Sequence, residues 1–282
     1  MTQKVTTRNN SSPKFAGRGN PTTLNRVTNT GTAQDVTTRS ASVSLEGVYR
    51  HFGKGRSRVD VLTDISLTIQ AGEVVALLGP SGCGKSTLLR LIAGLDHPSE
   101  GVVTVDGQAV RDVDPRCAVV FQEPRLLPWR SLRDNVKLGA RGEKDDDGVD
   151  SLLAEVGLAG FENHLPKEVS GGMAQRTALA RGLAGDPGVL LLDEPFAALD
   201  ALTRLQMQDL LAEVAQHTAA TVVFVTHDID EALHLADRVV VMAGRGEGIA
   251  EIIRVDQPRP RDRSHPDLVP LRTELLARFG IH

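Results

Sequence analysis

The sequence predicts an α/β fold with a mainly parallel sheet, an antiparallel β flank and a helical subdomain. Short, continuous apolar runs such as Val74–Leu78 and Thr221–Thr226 are typical of strands buried on both faces of a parallel sheet. Segments with apolar residues at helical spacing lie between these runs, and this alternation favours parallel pairing. Short β segments with turn signals lie on both sides of the first run and predict the flank.

The sequence predicts the strands of the flank, the strands of the main sheet and the helices at the following positions. The flank is predicted over Val43–Val48, Val61–Ile69 and Val102–Val105, with turns at Ala71-Gly72 and Asp106-Gly107. The buried strands are predicted at Val74–Leu78, Ala118–Phe121, Val189–Leu192 and Thr221–Thr226, and the strands Arg238–Met242 and Ile249–Val255 are predicted to close the sheet. The helices are predicted at Lys85–Ala93, Leu202–Val214 and Leu268–Phe279, and more irregularly over 125–185. Within that last stretch we predict an acidic loop at Glu143–Asp147 and a helix that begins near Met173.

Composition bounds the organisation of the chain. Of the 282 residues, 40% are hydrophobic, and no apolar run reaches the roughly 18 residues that span a bilayer. Residues 1–41 are rich in Thr, Asn, Ser and Gly with one acid, Asp35, so we predict a disordered tail. A transit peptide would share that composition, but there is no amphipathic stripe. We expect a folded domain over 42–255 and a linker with a short helix over 256–282.

Two further features concern the environment of the protein. The net charge of −4 argues against nucleic acid as a main partner. Two cysteines, Cys83 and Cys117, provide no disulfide framework, which favours a reducing compartment. His227 and His234 are seven residues apart and could share a helix face, but no third ligand accompanies them, so we expect no metal site built on this pair.

A Gly-x-x-x-x-Gly-Lys-Ser pattern follows the run Val74–Leu78 and opens the predicted helix. Glycines let backbone amides turn toward an anion, and the helix N-terminus adds its dipole. Lys85 can reach the β and γ phosphates of ATP, and the Ser86 hydroxyl can ligate Mg²⁺. The pattern therefore predicts a P-loop NTPase core whose ATP-binding residues are Gly79, Pro80, Ser81, Gly82, Cys83, Gly84, Lys85, Ser86 and Thr87. Cys83 lies in this electropositive loop at a helix N-terminus, so we expect its alkylation to block ATPase activity and ATP to protect it.

A second pair of chemical groups follows the strand Val189–Leu192. The carboxylates of Asp193 and Glu194 come at its carboxyl end, where open α/β sheets bind ligands. A solvated turn would look the same in isolation. Together with the upstream phosphate loop, the pair predicts Asp193 as a magnesium partner and Glu194 as the base that polarises the attacking water.

At this point the sequence resembles the ATP-binding subunits of ABC transporters. Ser170–Arg176 resembles the signature loop, Gln122 the lid glutamine, His227 the switch histidine, and Phe196–Asp200 the loop that crosses to a second subunit. The motifs occur in the family order, and the resemblance covers about Val43 to Arg261. The sequence departs from the family pattern in that Val169 replaces a leucine, and Met173 and Ala174 replace residues that are often polar.

The resemblance implies a head-to-tail dimer that sandwiches two ATP molecules. Glu194, His227 and Gln122 would be catalytic, and Ser86, Gln122 and Asp193 would hold Mg²⁺. Without the other motifs, His227 would be read as a core histidine and Gln122 as a surface residue. Phe52 would stack on adenine, with Tyr49 as the alternative and core packing as a rival for both. The residues that would reach the ATP of the second copy are Ser170, Gly171, Gly172 and Asp200.

Two stretches narrow the resemblance to importers of sulfonates, taurine and nitrate, and most closely to aliphatic sulfonate importers. These are Leu126–Val136 and Asp200–Leu210, and the tail Gln257–Arg261 is similar too. The resemblance implies two membrane subunits as partners, indirectly a substrate-binding protein, and a peripheral location on the cytoplasmic face of the plasma (inner) membrane. Trp129 would meet a membrane subunit or pack in the core. The alternatives are another small anion as cargo, or an ABC ATPase that acts outside transport.

Overall fold

The computed structural model describes residues 40–142 and 145–280, so the predicted tail lies outside the described residues except for its last two. The described residues form ten strands and seven α-helices. In chain order these are β1 Val43–Phe52, β2 Val59–Ile69, β3 Val74–Leu78, α1 Lys85–Ile92, β4 Glu100–Val105, β5 Gln108–Ala109, β6 Cys117–Val120, α2 Leu132–Lys137, α3 Asp146–Glu155, α4 Gly171–Leu183, β7 Val189–Asp193, α5 Ala201–His217, β8 Thr221–Thr226, α6 Ile229–Leu235, β9 Arg238–Met242, β10 Ile249–Arg254 and α7 Leu268–Arg278.

The central sheet has six strands in the order β10-β9-β3-β8-β7-β6. All neighbours are parallel except β10, which pairs with β9 in the antiparallel sense. The registers place Leu78 beside Thr226, and Asp193 beside Val225. The loops that follow β3, β7 and β8 therefore leave the same edge of the sheet, which is where ligands bind in open α/β folds.

The antiparallel flank forms a separate sheet of four strands in the order β2-β1-β4-β5. Successive residues of β3 contribute to different cores. Val75 and Leu77 pack toward the flank and α1, whereas Ala76 and Leu78 pack toward the helices α4, α5 and α6. Side chains alternate across a strand, and burial on both faces explains why this run is continuously apolar. The predicted fold class is confirmed.

Helix starts in the helical subdomain differ from those predicted. Glu143 is outside the described residues, but Asp146 and Asp147 form the first turn of α3 rather than a loop, because Asp145 caps the helix by accepting from the Gly148 amide. Acids are favourable at this end of a helix. Likewise, α4 begins at Gly171 and not near Met173, because Ser170 is its N-cap.

The C-terminal segment is anchored to the domain. Arg261 is 6% exposed, and its guanidinium donates to the carbonyl of Ala236 at 2.7 Å and to that of His234 at 3.2 Å. These carbonyls belong to the carboxyl end of α6 and would otherwise lack partners. Among the described residues, no helix combines the length and apolar character that crossing a bilayer requires.

Candidate active site

A cavity of about 410 Å³ opens at the carboxyl edge of the central sheet. Its walls combine the loop after β3, the start of α1 and the end of β7, so residues far apart in sequence share one space. A larger cavity of about 570 Å³ lies elsewhere, between α5, α6 and the C-terminal segment. The smaller cavity is lined by Val61, Ser81, Gly82, Gly84, Lys85, Ser86, Thr87, Glu194 and Arg245.

The loop after β3 needs glycine at its last position. Gly84 has φ +108° and precedes the first residue of α1. A Cβ there would lie 2.6 Å from Leu62 Cδ2, so both the backbone conformation and the space exclude a side chain. Lys85, Ser86 and Thr87 of the first turn of α1 line the cavity. The first amides of a helix have no partner within the helix, and such amides can bind an anion.

Lys85 and Ser86 are held by contacts within this loop and across the sheet. Lys85 is 5% exposed, and its Nζ donates to the carbonyls of Gly79 at 2.7 Å and Pro80 at 2.9 Å. The Ser86 hydroxyl donates to Asp193 Oδ1 at 2.7 Å. A hydroxyl and a carboxylate oxygen are hard ligands of the kind that Mg²⁺ prefers, so this pair fits the metal that the sequence predicted.

Glu194 lies at the cavity wall in an unusual backbone conformation. Its φ of +47° is in the left-handed region, which is strained for a side chain of this kind. His227 Nδ1 lies 3.8 Å from Glu194 Oε2, too far for a hydrogen bond but close enough for electrostatic contact. The His227 side chain is 66% exposed, so the core-histidine alternative is wrong.

Two predicted residues are exposed but do not line this cavity. Gln122 follows β6 at the same sheet edge. Phe52 is 46% exposed, with the Arg50 guanidinium 4.3 Å above its ring, so it is not a core aromatic. Tyr49 is half-buried within β1. The assignment of adenine stacking to Phe52 or Tyr49 stays a prediction.

The residues predicted to reach a second copy also lie outside the cavity wall. The Ser170 hydroxyl accepts from the Met173 amide and caps α4. Gly171 is exposed, whereas Gly172 packs against α5. Asp200 caps α5, and the hydrogen bonds from Thr203 lower the pKa of its carboxyl. Two helix N-termini thus carry these residues.

Arg245 is a residue of the cavity that the sequence reasoning missed. It lies in the loop between β9 and β10, and its Nε donates to the Gly82 carbonyl at 3.3 Å. The loop is tied to the flank, since the Gly246 amide donates to the Val61 carbonyl at 3.3 Å. The available signal was an arginine between two glycines after a buried strand. That local pattern does not indicate a function, because Arg245 meets Gly82 only in the folded structure.

Glu231 was also missed. It is 5% exposed, and it accepts from the Thr226 hydroxyl at 2.5 Å and from Gln208 Nε2 at 3.1 Å. Burial raises the pKa of its carboxyl, and the hydrogen bond from Thr226 opposes that shift. Exposed His227 is thus preceded by Thr226, whose hydroxyl is held by a buried carboxylate.

Three other predictions change. Cys83 is 2% exposed, so the expected alkylation is not supported. His227 precedes α6 while His234 lies within it, so they do not share a helix face. Trp129 is 71% exposed, which rules out core packing and leaves the contact with a membrane subunit as a prediction. Burial raises the pKa of the Cys117 thiol to about 12.

Comparisons with known proteins extend this picture. The profile of the ABC transporter family matches residues 62–197. The aliphatic sulfonates import ATP-binding protein SsuB 2 of Burkholderia cenocepacia (strain HI2424) is 52% identical over 221 residues, covering 78% of this chain and 82% of the relative. The aliphatic sulfonates import ATP-binding protein SsuB 1 of Xanthomonas axonopodis pv. citri (strain 306) is 48% identical over 244 residues, covering 83% of this chain and 97% of the relative.

The fold has a counterpart among solved structures. The ATP-binding cassette MJ0796, in a dimeric post-hydrolysis state bound to ADP and Pi, aligns with a TM-score of 0.67 at 32% identity. The alignment covers 77% of this chain and 100% of that chain. The similarity therefore extends well beyond the short motifs.

Proposed function

The chain belongs to the ABC transporter family, and on this premise we propose that it is the ATP-hydrolysing subunit that energises an importer of aliphatic sulfonates. The observation that carries the ATPase function is the convergence of Lys85, Ser86 and Glu194 on one cavity, with Asp193 bonded to Ser86. The sulfonate specificity is supported by the relatives that share about half of their residues with this chain.

In the proposed mechanism the loop from Gly79 to Thr87 binds the triphosphate. Backbone amides and the Lys85 ammonium counter its charge once the ammonium exchanges the Gly79 and Pro80 carbonyls for phosphate oxygens. Ser86, Asp193 and Gln122 would hold Mg²⁺, which neutralises developing charge when it is bound. Glu194 polarises the attacking water, and His227 orients Glu194 and the γ phosphate.

We infer that the working form is a homodimer. Ser170, Gly171, Gly172 and Asp200 lie away from the cavity wall of their own chain, which suits contact with the ATP held by a second copy. The free amides at the start of α4 can face that γ phosphate. ATP binding would close the dimer, hydrolysis would reopen it, and two membrane subunits would follow this motion.

The proposed location is peripheral, on the cytoplasmic face of the plasma (inner) membrane, with a substrate-binding protein delivering the cargo to the membrane subunits. Exposed Trp129 is a suitable anchor for such a contact. The cargo need not touch this chain, so taurine, nitrate or another small anion remains the alternative cargo. Co-purification with membrane subunits supports transport, whereas ribosomes or DNA in their place would favour a non-transport ATPase.

A growth assay tests the transport function. A strain that lacks the gene is grown with an alkanesulfonate, taurine or sulfate as sole sulfur source, with a wild-type or Lys85→Ala copy supplied. We expect only the wild-type copy to restore growth on the alkanesulfonate, while growth on sulfate needs neither. Growth of the deletion strain on the alkanesulfonate, with loss of growth on taurine instead, would move the assignment to the alternative cargo.

A further inference from the structure

A buried carboxylate holds the loop that carries His227. Glu231 on α6 accepts from the hydroxyl of Thr226, the residue before His227. The same hydroxyl oxygen accepts from the amide of Asp228, the residue after His227, at 3.0 Å. The side chain of His227 is itself 66% exposed. Its position therefore depends on the backbone of a loop that is fastened on both sides through Glu231.

The other oxygen of this carboxylate leads to α5 and then to the C-terminal segment. It accepts from Gln208 Nε2 at 3.1 Å, and Gln208 is 4% exposed. Gln208 Oε1 in turn accepts from Arg263 Nη2 at 3.1 Å. Arg263 also donates to Asp209 Oδ1 at 2.7 Å. The side chains of Arg263, Gln208, Glu231 and Thr226 thus form one continuous set of hydrogen bonds, here called the relay.

The relay is held in place beside Arg263 and at Glu231. Arg261, two residues before Arg263, is buried against the carbonyls at the end of α6. Glu231 starts from the first turn of the same helix. A buried carboxylate that loses its partners is costly, so the members of such a network constrain one another. The cavity of about 570 Å³ borders Gln208, Glu231 and Arg263, so removing the arginine gives water a path to the other two.

We propose that the relay positions His227 for ATP hydrolysis, which makes the C-terminal segment part of the hydrolytic machinery. This inference rests on the proposed function. Glu231, Gln208 and Arg263 are positioning residues, because they act through the loop of His227 and do not line the phosphate cavity. A signal at the C-terminus that moved Arg263 would change the rate of hydrolysis without touching the nucleotide.

The test compares two C-terminal arginines in the full-length chain with MgATP. Arg263 belongs to the relay, whereas Arg272 pairs with Asp230 at 2.9 Å, outside it. We expect Arg263→Ala to lower kcat about tenfold and to leave the KM for ATP within about twofold. Arg263→Lys should recover most of the loss, since it keeps a donor for Gln208. Arg272→Ala should leave both constants within about twofold of wild type.

A second variant tests the continuity of the relay. Thr226→Val keeps the shape of the side chain but removes the hydroxyl, and it should also lower kcat. Because both changes break the same set of bonds, the double variant should be little worse than the worse single one. The inference is overturned if Arg263→Ala has the wild-type kcat, or if Arg263→Ala and Arg272→Ala lose kcat equally. It is also overturned if the loss of kcat in the double variant equals the product of the losses in Arg263→Ala and Thr226→Val. A wild-type chain without ATPase activity would instead overturn the proposed function.

Discussion

Arg245 adds a positive charge to the wall of the cavity that Lys85 and Ser86 line. It is the arginine of the cavity wall, and its Nε contacts the carbonyl of Gly82 in the phosphate loop. A guanidinium can offer several donors to phosphate oxygens in fixed directions, which a single ammonium cannot. We therefore expect it to supplement Lys85.

Substitution of Arg245 measures that contribution. Arg245→Ala should raise the Kd for MgATP about tenfold, as expected for the loss of a charge-assisted hydrogen bond. Arg254→Ala is the matched control, since Arg254 is 81% exposed and its partner is Asp256 at 3.9 Å. Equilibrium binding of a fluorescent ATP analogue reports both. Equal affinity of the two variants would exclude Arg245 from the nucleotide site.

The two cysteines give a second test at this scale. Cys83 is 2% exposed, and Cys117 has a pKa raised to about 12 by burial, so it stays a thiol at neutral pH. The reagent cannot reach buried Cys83, and Cys117 lacks the nucleophilic thiolate, so both should be alkylated at about a tenth or less of the rate in unfolded protein. Mass spectrometry after timed alkylation measures each site. Rapid labelling of native Cys83, prevented by ATP, would instead support the reactivity that the sequence predicted.

At the scale of elements, the start of α4 is shaped by its contact with α5. A Cβ on Gly172 would lie 2.4 Å from Thr203 Cγ2, whereas a Cβ on Gly171 has no neighbour within 4 Å. The two glycines that open α4 therefore differ in whether packing requires glycine. At Gly172 the close approach of α4 and α5 leaves no space for a Cβ, whereas at Gly171 there is space for one.

Paired substitutions test this difference. Gly172→Ala should lower the free energy of unfolding by about 1–3 kcal/mol through overpacking, and adding Thr203→Ser, which removes Cγ2, should restore most of it. Gly171→Ala should be neutral or stabilising by up to about 1 kcal/mol, because alanine favours helix. Urea unfolding of the three variants and the wild type provides the values. A Gly172→Ala loss that Thr203→Ser does not relieve would argue against this contact as its cause.

Helix α6 contains a buried histidine that makes stability depend on pH. Burial, helped by Arg263 and Arg261, lowers the pKa of His234 from its ordinary value of 6.5, against the opposing effect of Asp209. The unfolded chain therefore binds a proton that native His234 does not. Stability from this group is complete above about pH 6.5 and is lost as the pH falls toward the lowered pKa.

A variant isolates this contribution from other titrating groups, including Glu231. His234→Phe cannot take up a proton. The unfolding free energy of wild type minus that of the variant should therefore decrease as the pH falls from 7.5 to 5.5. Urea unfolding at intervals across this range measures the difference. Curves that stay parallel would show that His234 titrates alike in the native and unfolded states.

At the scale of the whole molecule, the sequence is sufficient where burial alone determines structure. Strand β3 is predicted to the residue, because an apolar run between Glu73 and Gly79 can be satisfied only inside a sheet. The starts of α3 and α4 are missed by a few residues, because they depend on capping by Asp145 and Ser170, which local hydrophobic periodicity does not report.

The candidate site shows the same division. Ser86 and Asp193 are predicted together because each belongs to a motif with its own strand context, and the structure joins them at 2.7 Å. Arg245 and Glu231 belong to no such motif. Arg245 reaches Gly82 only because β9 pairs beside β3, and Glu231 reaches Gln208 only because α5 packs on α6. Contacts of this kind depend on tertiary structure, so no local pattern could name them.

The most direct measurement of the central claim is ATP binding and ATP turnover in the same samples of wild type, Glu194→Gln and a control, Glu213→Gln, whose carboxylate is exposed on α5. We expect Glu194→Gln to bind MgATP as tightly as wild type, to hydrolyse it at least about a hundredfold more slowly and to accumulate as a dimer, while the control behaves as wild type. Turnover near the wild-type rate in Glu194→Gln, or no binding of MgATP by any of the three proteins, would contradict the account.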